Sequence, residues 1–476
     1  MIDNFLIVIM GSTGDLAIKK LFPAIFGLMK LNKIGDNFAV VAVARKNLSN
    51  EEFFELAKNS IKTNNKNLLD SLKSRIYYFS MNFNDVAKYK ELGELILEKE
   101  KKHNTLGNKL FYLATLPEHF SPIVKNLKAN ALTEEKNNWC RVVFEKPFGD
   151  DEKSARALNK EISEAFHEKQ IFRIDHYLGK ELVQSLAVLR GTNMVFNTIW
   201  DSKHIDHIQI NLLEDFGIAK RGNYYDKYGA LKDVFQNHIL QLLALISMEM
   251  PSNLSSENIR NEKVKVLNNL IVKNKSDFVL GQYNGYCSEE GVSNNSKTET
   301  FFAGKVFLNN DRWKGTPFYV RSGKNLGLRF SSIYIEFKNP INGIIANTIL
   351  PNYLLIQIQP ESGILLRLNS KSPHSKNSIT PVKMTFCHEC AYGPNTLEAY
   401  ENLLKDALEG DQSAFIRYDE IETSWKIVDK IKAMNLPIYN YEKGTFGPKE
   451  SEALIKNDNR EWFNKIESVL QNINFY

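Results

Sequence analysis

Short continuous apolar segments alternate with helical patterns along the first third of the chain. Phe5–Met10 and Phe38–Ala44 are apolar runs rich in Ile, Val and Ala, as expected for strands that are buried on both faces. Between them, apolar residues recur at helical spacing over residues 16–31. The alternation continues with predicted helices at 50–60 and 89–102 and predicted strands at 76–79, 110–114 and 141–144. Strands and helices that alternate in this way predict an α/β domain with a doubly wound parallel sheet.

The pattern changes near residue 175. Helical patterns at 182–189 and 234–250 are now mixed with segments in which apolar and polar residues alternate as they do in strands. These predicted strands lie at 205–213, 301–308, 318–321, 333–337, 353–359 and 364–368. We therefore predict two domains, an α/β domain over residues 1–175 and a larger α+β domain with a mainly antiparallel sheet over residues 176–476. The length of 476 residues also favours two domains.

The composition is that of a folded protein whose partners are small molecules. Hydrophobic residues make up 43% of the chain and charged residues 25%, which argues against disorder. The excess of 61 Lys and Arg over 56 Asp and Glu is small and dispersed, so it does not indicate nucleic-acid binding but suits an anionic substrate. No stretch approaches the roughly 18 apolar residues of a membrane span. The apolar run at the N-terminus is too short for a signal-peptide core, and we predict a cytoplasmic protein.

Four cysteines in so long a chain do not indicate a disulfide framework. Cys387 and Cys390 are separated by two residues, a spacing that also occurs in zinc sites. A structural zinc site normally needs four ligands, and the isolated Cys140 and Cys287 provide no second pair. We therefore predict free cysteines and no metal site.

The segment Gly11–Ala17, GSTGDLA, lies between the first predicted strand and the first predicted helix. Glycines there let the backbone turn tightly and approach a pyrophosphate, whose charge the helix N-terminus favours, as in Rossmann domains. Thr13 occupies the place of the middle glycine of the strict motif, and an ordinary strand–helix loop is the alternative. The position within a βαβ unit favours a dinucleotide. The residues predicted to contact it are Gly11, Ser12, Thr13, Gly14, Asp15 and Leu16.

The second predicted strand ends in Ala44-Arg45-Lys46. An NAD-binding domain usually has Asp or Glu at this point for the ribose hydroxyls, and neither is present. The guanidinium of Arg45 can instead stack on adenine and pair with a 2′-phosphate, so we predict NADP as the cofactor. The alternative is that Arg45 and Lys46 begin a solvated loop.

Three further segments bring together side chains suited to catalysis. The segment 145–149, EKPFG, follows a predicted strand, which places Lys146 at the carboxyl edge of the sheet, where ligands of such folds bind. The segment 173–181, RIDHYLGKE, combines an acid, an imidazole, a phenol and an ammonium group. His238 ends the segment DVFQNH on an otherwise apolar helix. A single histidine on such a helix is more often a core residue than a base, but the polar start of this helix at Asp233 favours a cleft position.

Together these segments resemble the glucose-6-phosphate dehydrogenase family, and the similarity covers nearly the whole chain. The matching segments occur in the family's order: GSTGDLA, VARK, FYLA, EKPFGDD, RIDHYLGKE, GNYYDKYGALKDVFQNH, RSGKNL, QIQPE, AYENLLKDALEGDQSAFIRYDEIETSW and YEKGTFGPKES. The resemblance implies an NADP-dependent enzyme that oxidises D-glucose 6-phosphate at its anomeric carbon to 6-phospho-D-glucono-1,5-lactone, the first step of the oxidative pentose phosphate pathway. It also implies a homodimer, or a dimer of dimers, built on the C-terminal sheet.

The resemblance assigns roles to individual residues. Oxidation of a hemiacetal needs a base for the proton of the anomeric hydroxyl while hydride leaves for the nicotinamide. His238 matches that base, and Asp175 matches the acid that orients its imidazole and stabilises the protonated form. The matching substrate contacts are Lys146 (which also bridges to the cofactor), His176, Tyr177 and Lys180 for the phosphate, Glu214 and Asp233 for sugar hydroxyls, Lys20 near the substrate, and Lys324, Arg329 and Gln359 as outer contacts.

The resemblance also bears on a second, structural NADP site that animal members of the family line with basic residues. Arg321 keeps one of those basic positions, whereas Phe330 and Gln357 replace two others. Since neither replacement can neutralise a phosphate, we expect one NADP per chain.

Two other functions are the alternatives. A Rossmann oxidoreductase for another sugar or for inositol also carries Glu-Lys-Pro after a strand, but it would lack RIDHYLGKE and QNH. A catalytically silent NADP-binding regulator would have lost the base or its orienting acid, and both His238 and Asp175 are present.

Overall fold

The computed structural model describes residues 1–339, 349–373, 378–393 and 396–468. Its strands are β1 (Phe5–Met10), β2 (Phe38–Ala44), β3 (Ile76–Ser80), β4 (Lys109–Leu113), β5 (Cys140–Phe144), β6 (Ile171–Ile174), β7 (Ile205–Leu213), β8 (Leu270–Ile271), β9 (Phe278–Tyr283), β10 (Phe301–Leu308), β11 (Phe318–Gly323), β12 (Phe330–Phe337), β13 (Tyr353–Gln359), β14 (Gly363–Lys371), β15 (Ile379–Cys387), β16 (Phe415–Ile416) and β17 (Ile438–Tyr441).

The α-helices are α1 (Phe22–Lys30), α2 (Asn50–Lys58), α3 (Lys66–Lys73), α4 (Lys88–His103), α5 (Phe120–Ala129), α6 (Glu152–Ser163), α7 (Glu181–Gln184), α8 (Leu186–Thr192), α9 (Met194–Ile199), α10 (Gly222–Ala230), α11 (Leu240–Ser247), α12 (Ser256–Asn268), α13 (His388–Tyr392), α14 (Ala399–Glu409), α15 (Tyr418–Ala433) and α16 (Lys449–Lys456). Short 3₁₀ segments lie at Pro117–His119, Glu168–Gln170, Ala219–Arg221, Lys275–Asp277 and Tyr286–Ser288. Within the described ranges, no helix has both the length and the apolar character needed to cross a membrane.

The chain forms two compact units. The first unit comprises Met1–Glu181, Ser255–Arg260 and Leu397–Glu422. The second comprises Leu182–Leu254, Asn261–Thr396 and Thr423–Tyr476, as far as these are described. The predicted division at residue 175 lies close to the end of the first segment, and it stays a prediction of domain organisation.

The sheet of the first unit has the strand order β16-β6-β5-β4-β1-β2-β3. Strands β1 to β6 pair in parallel, and the short β16 is antiparallel to β6. Every residue of β1 and β2 is buried, as expected for central strands of a parallel sheet that is covered on both faces. The order from β3 through β1 and β4 to β6 is that of a Rossmann domain. The predicted doubly wound parallel sheet is confirmed.

The sheet of the second unit has the order β15-β14-β13-β12-β7-β11-β10-β9-β17, and β8 pairs with β10. Neighbouring strands are antiparallel, except that β7 pairs in parallel with β11 and β9 with β17. An apolar cluster packs on this sheet and includes Tyr225, Phe301, Tyr319, Phe330 and Leu355, all essentially inaccessible to solvent. The predicted α+β architecture with a mainly antiparallel sheet is confirmed.

Two predicted α-helices begin as π-helices. Residues Ala17–Leu21 are π-helical before α1, and residues Leu231–Ile239 are π-helical before α11. Apolar periodicity alone does not separate the two geometries, because both bury one side of a helix. Such π segments are rare and are frequent at functional sites, and these two carry Lys20 and His238.

The prediction that Cys387 and Cys390 are free is wrong. Their sulfur atoms form a disulfide, with the two Cα atoms 5.2 Å apart. Cys387 is the residue before α13, and its sulfur also accepts a hydrogen bond from the backbone N–H of Cys390 at 3.0 Å. Two cysteines three residues apart at the start of a helix therefore have their sulfurs within bonding range. The prediction of free cysteines rested on the number of cysteines and on the cellular compartment, and neither depends on this local geometry. Cys140 and Cys287 are free.

Candidate functional site

The predicted cofactor and substrate residues of the first unit lie at one edge of its sheet. Parallel strands have their carboxyl ends at the same edge, so the segments that follow β1, β2, β5 and β6 all lie along that edge. These segments contain the Gly11 turn, Arg45, Lys146 and Asp175–Lys180, respectively. Lys20 lies in the π-helical segment that continues from the Gly11 turn and is exposed.

The turn after β1 has the backbone geometry that a dinucleotide requires. Gly11 has φ +93°, and a Cβ atom there would lie 2.4 Å from the carbonyl oxygen of Ala114. Backbone N–H groups of Gly11 and Ser12 donate to the carbonyl of Val43 at 2.8 and 3.0 Å, which fixes the turn against β2. The buried Ser12 hydroxyl has no hydrogen-bond partner among the described residues. The turn therefore fits the pyrophosphate of a dinucleotide at a helix start.

Asp15 and Leu16 complete the predicted cofactor segment. The carboxylate of Asp15 pairs with Lys19 at 2.9 Å, and both side chains are largely exposed. An exposed ion pair of this kind stabilises the fold only weakly, so Asp15 can exchange this partner for a ligand group at little cost.

Arg45 and Lys46 are exposed at the carboxyl end of β2. Side chains from β3 hold the backbone there, because the Tyr78 hydroxyl donates to the carbonyl of Lys46 at 2.5 Å and the Ser80 hydroxyl to that of Arg45 at 3.5 Å. The backbone is thereby fixed while the Arg45 guanidinium stays accessible. This arrangement fits the 2′-phosphate of NADP, because β2 is followed by Arg45 and Lys46 rather than by the carboxylate that an NAD-binding domain usually has.

The segment after β6 arranges the predicted phosphate contacts in one turn. Asp175 is 1% exposed, and its Oδ1 accepts the backbone N–H of Tyr177 at 2.9 Å. His176, Tyr177 and Lys180 are partly exposed. The rings of His176 and Tyr177 are 5.0 Å apart, and the Lys180 ammonium lies 5.3 Å from the Tyr177 ring. Three donors of the kind that bind a phosphate are thus close together, next to a buried carboxylate.

The predicted sugar contacts of the second unit lie at the ends of four neighbouring strands. Glu214 follows β7, Lys324 follows β11, Arg329 precedes β12 and Gln359 ends β13. Leu213 of β7 is paired with Gly323 of β11 and with Phe330 of β12, and Gln359 is paired with Ser331 of β12. The sheet therefore brings these four predicted residues to one edge.

Side chains at this edge are already in contact. The Lys324 ammonium pairs with Glu214 at 2.5 Å, and Lys324 is 5% exposed. The charged ends of Lys324 and Arg329 lie 5.4 and 5.5 Å from the ring of Phe216. The Gln359 amide oxygen accepts the hydroxyl of Ser331 at 3.4 Å. A carboxylate and two cations at one edge provide acceptors and donors for an anionic sugar.

His238 and Asp233 are buried in the π-helical segment Leu231–Ile239. Hydrogen bonds in a π turn join residues five apart, which is the spacing of Asp233 and His238, so these residues lie more nearly on one side than an α-helix would allow. Asp233 also accepts the hydroxyl of Tyr224 at 3.1 Å. A buried acid and a buried imidazole are therefore held on one helix.

Gly229 sets the start of this helix. Its φ is +65°, and a Cβ atom there would lie 2.4 Å from a carboxylate oxygen of Glu299. That carboxylate accepts the backbone N–H of Leu231 at 2.9 Å, the first residue of the π segment. A negative group at a helix N-terminus stabilises the helix, and burial raises the pKa of Glu299.

Sequence reasoning missed two residues that contact predicted ones. Tyr224 binds Asp233, and Phe216 lies against Lys324 and Arg329. Tyr224 lies within the quoted segment GNYYDKYG, and Phe216 is two residues after Glu214. Proximity to a motif was therefore the available signal, whereas the contacts depend on the sheet topology.

The side chains at the three positions that correspond to a second NADP site contact other parts of this chain. Arg321 is fully buried and donates to Asn211 at 3.2 Å and to Asn464 at 2.5 Å. Gln357 is bonded through its amide to the backbone of Glu467, and Phe330 belongs to the core. The segment that contains Asn464 and Glu467 thus occupies these side chains. The expectation of one NADP per chain stays a prediction.

The predicted residues therefore form two sets, one at the sheet edge of the first unit and one in the second unit. The first set comprises Gly11, Ser12, Thr13, Gly14, Asp15, Leu16, Lys20, Arg45, Lys146, Asp175, His176, Tyr177 and Lys180. The second comprises Glu214, Asp233, His238, Lys324, Arg329 and Gln359. The role assigned to each of them stays a prediction.

Comparison with known proteins identifies one family over both units. Residues 8–185 match the family model described as glucose-6-phosphate dehydrogenase, NAD binding domain. Residues 187–463 match the model described as glucose-6-phosphate dehydrogenase, C-terminal domain. The chain is 44% identical to the glucose-6-phosphate 1-dehydrogenase of Bacillus subtilis, over 96% of this chain and 98% of that protein.

Solved structures agree with the sequence comparison. A structure described as glucose-6-phosphate dehydrogenase in complex with its substrate glucose-6-phosphate has a TM-score of 0.91 and 34% identity, and covers 97% of this chain and 98% of its own. The glucose-6-phosphate 1-dehydrogenase of Mycobacterium avium has a TM-score of 0.88 and 32% identity, with 98% and 100% covered. On the strength of these matches and of the motifs at both sheet edges, the chain belongs to the glucose-6-phosphate dehydrogenase family.

Proposed function

We propose that the protein oxidises D-glucose 6-phosphate at its anomeric carbon to 6-phospho-D-glucono-1,5-lactone, with NADP as the hydride acceptor. The observation that carries this proposal is the 44% identity to a glucose-6-phosphate 1-dehydrogenase over 96% of the chain. The geometry of the first unit supports it, since its sheet edge fits a dinucleotide phosphate and three donors of the kind that bind a phosphate lie at the same edge.

Proton removal, orientation of the base and contact with both ligands are assigned to different residues of the chain. His238 is the general base that takes the proton of the anomeric hydroxyl, and Asp175 orients its imidazole and stabilises the imidazolium. When bound, NADP supplies the hydride acceptor. Lys146 contacts both sugar and cofactor at the carboxyl edge of the first sheet.

Substrate recognition rests on charge. His176, Tyr177 and Lys180 bind the phosphate, because a dianion needs several donors to offset its lost hydration. Glu214 and Asp233 accept hydrogen bonds from sugar hydroxyls. Lys20, Lys324, Arg329 and Gln359 supply further donors around the sugar.

The pyrophosphate is held by the turn after β1, which comprises Gly11, Ser12, Thr13, Gly14, Asp15 and Leu16. Arg45 selects NADP through the 2′-phosphate.

The function is tested by following the absorbance of the reduced nicotinamide, with glucose 6-phosphate or glucose as the sugar and with NADP or NAD as the cofactor. We expect fast reduction with glucose 6-phosphate and NADP. A preference for unphosphorylated glucose would indicate another sugar dehydrogenase, and NADP binding without turnover would indicate a silent regulator.

Replacing Lys180 with alanine should raise KM for glucose 6-phosphate while changing the use of unphosphorylated glucose little. A charge-assisted hydrogen bond contributes roughly 1.5–3 kcal/mol, about ten- to hundred-fold in KM. Steady-state kinetics on both sugars measure the effect. Lys169→Ala is the matched control, because Lys169 is an exposed lysine of the same unit that pairs with Glu135. Equal losses on both sugars would show that Lys180 does not contact the phosphate.

Replacing Arg45 with alanine should weaken NADP binding more than NAD binding, because NADP alone offers a 2′-phosphate to the guanidinium. Fluorescence titration with each cofactor gives the ratio of the two dissociation constants. Arg156→Ala removes an exposed arginine of the same unit that pairs with Glu152 and should leave the ratio unchanged. An NADP-to-NAD ratio that Arg45→Ala does not alter would contradict the assignment.

Calorimetric titration should show a single class of NADP site at one equivalent per chain. The physical reason is that Phe330 and Gln357 cannot neutralise a phosphate, and Arg321 is buried against Asn211 and Asn464. A second equivalent that persists in Arg45→Ala and raises the unfolding temperature separately would show that a structural site exists.

We propose a homodimer, or a dimer of dimers, formed through the sheet of the second unit. The support is an apolar row on the edge strand β15, where Val382, Met384 and Phe386 are 39%, 61% and 37% exposed. Exposed apolar patches of this kind mark interaction surfaces. Light scattering should give a dimer mass, and Met384→Asp should shift it toward the monomer; a monomeric parent protein would contradict the proposal.

We also propose a cytoplasmic location. The support is chemical, since glucose 6-phosphate and NADP are highly charged and do not cross membranes unaided. Fractionation of source cells tests it, and enrichment of the activity in a membrane or extracellular fraction would contradict it.

A further inference from the structure

Three segments that lie far apart in the sequence meet at one carboxyl group in the first unit. Glu145 follows β5 directly and precedes Lys146. Tyr112 lies in the neighbouring strand β4, and Tyr400 lies in the first turn of α14. None of the three has a role in the proposed reaction.

Both tyrosines donate a hydrogen bond to Glu145. The Tyr112 hydroxyl lies 2.6 Å from Oε1 of Glu145, and the hydroxyl of Tyr400 binds the same carboxyl group. Glu145 is 9% exposed and Tyr112 is 2% exposed, so water contributes little to this site. A buried carboxyl group is stable only with such partners.

The helix that carries Tyr400 is also fixed to the segment that follows Asp175. The side-chain amide of Asn402 donates to the carbonyl of Gly179 at 3.1 Å and to the carboxylate of Glu181 at 2.9 Å. A Cβ atom at Gly179 would lie 2.6 Å from the carbonyl oxygen of Ala399, so this contact is close. Helix α14 therefore joins the end of β5 to the segment that carries Asp175 and Lys180.

The protonation of Glu145 changes in the neutral range. Burial raises its pKa to about 7, although the hydrogen bonds from Tyr112 and Tyr400 and the nearby ammonium of Lys146 favour the charged form. The carboxylate of Asp175 acts in the opposite direction and disfavours a second negative charge. These four groups lie in β4, in α14, at the end of β5 and at the end of β6, and each acts on the pKa of Glu145.

We infer that Glu145 is a positioning residue of the proposed oxidation: held by Tyr112 and Tyr400, it fixes the strand end from which Lys146 extends and links it to the segment of Asp175. The inference rests on the proposed function, because Lys146 and Asp175 act there. An apolar residue would fill the site without the cost of burying a carboxyl group, so stability alone does not account for a glutamate there.

The test compares three variants with the parent enzyme. Glu145→Gln keeps the size and hydrogen-bonding capacity but does not titrate. Tyr400→Phe keeps the carboxyl group and removes one donor. Tyr89→Phe is the matched control, since Tyr89 is a fully buried tyrosine of the same unit that donates to the carbonyl of Phe83 at 2.9 Å. Profiles of kcat/KM for glucose 6-phosphate against pH, with NADP saturating, are measured for each, together with unfolding temperatures.

We expect Glu145→Gln to lower kcat/KM by about ten-fold or more and to remove the ionisation near neutral pH that Glu145 contributes. Tyr400→Phe should move that ionisation to higher pH. The hydrogen bond from Tyr400 stabilises the charged form of Glu145, and its removal therefore raises the pKa. Tyr89→Phe should keep the profile of the parent.

Stability gives an independent readout of the same titration. The pKa of Glu145 is higher in the folded than in the unfolded chain, so the folded state keeps a proton that the unfolded state loses, and stability falls as pH rises toward 7. Glu145→Gln does not titrate and therefore does not lose stability in this way. The difference in unfolding temperature between Glu145→Gln and the parent should therefore be more favourable to the variant at pH 8 than at pH 5.

Two outcomes overturn the inference. One is that the Glu145→Gln enzyme has the pH profile of the parent and nearly the same kcat/KM. If Glu145→Gln fails to fold, the same result for Tyr400→Phe counts instead. The other is lower kcat/KM with an unchanged profile, which would show a structural role alone. A parent enzyme that fails to reduce NADP with glucose 6-phosphate would instead overturn the proposed function, so the two failures are distinguishable.

Discussion

Replacing His238 with asparagine is expected to lower kcat by roughly two to four orders of magnitude, the usual contribution of a positioned general base. Asparagine keeps a polar side chain but cannot take the proton of the anomeric hydroxyl. Because His238 is 3% exposed within the π-helical segment, the unfolding temperature of the variant has to be measured beside kcat. Binding of glucose 6-phosphate should be retained, since the phosphate contacts lie elsewhere in the chain.

The measurement is kcat with saturating substrates, together with substrate affinity by titration. His207→Asn is the control, because His207 is also a buried histidine of the second unit, bonded to Asp206 at 2.9 Å and to Gln209 at 2.9 Å. The control should change stability rather than kcat. A kcat of His238→Asn within a few-fold of the parent would place the base elsewhere.

Replacing Asp175 with asparagine is expected to lower kcat strongly as well, and the double variant with His238→Asn should lose little more than the His238 variant alone. Residues that act as a unit show such non-additive losses. Asparagine keeps an oxygen that accepts the backbone N–H of Tyr177, so the turn after β6 should persist. What the amide lacks is the charge that stabilises a protonated imidazole.

A double-mutant cycle on kcat measures the coupling between the two positions. The unfolding temperature of each variant serves as the check that the fold is intact. Losses that add fully would mean that Asp175 and His238 act independently, and the assignment of Asp175 as the orienting acid would then be wrong.

The first unit could be predicted from sequence because its strands follow one simple rule. Strands such as Phe5–Met10 and Phe38–Ala44 are buried on both faces, so continuous apolar runs reveal them directly. The strand Ile171–Ile174 escaped prediction because it is short and contains Arg173, whose buried guanidinium pairs with Glu168 at 2.6 Å. Burial of a charge through a specific partner leaves no signal in the pattern.

The candidate site could be predicted where a motif carries it, as at Gly11 and in the segment after Ile174. The positions of these residues relative to one another in space could not be predicted. Asp233 and His238 lie on nearly the same side of their helix only because it is a π-helix, which apolar periodicity does not distinguish from an α-helix. The hydrogen bonds of Glu145 depend on Tyr400, a distant residue that the fold brings close. The disulfide of Cys387 and Cys390 depends on the local geometry at a helix start.

Transfer of a labelled hydrogen tests whether hydride passes from the anomeric carbon of the sugar to NADP. Glucose 6-phosphate carrying deuterium at its anomeric carbon is incubated with the enzyme and NADP, and the reduced cofactor is analysed by mass spectrometry and NMR. We expect deuterium on the nicotinamide ring, in step with formation of the lactone, and a slower reaction than with unlabelled sugar if hydride transfer limits the rate. Reduced NADP without deuterium, or no reduction of NADP by glucose 6-phosphate, would contradict it.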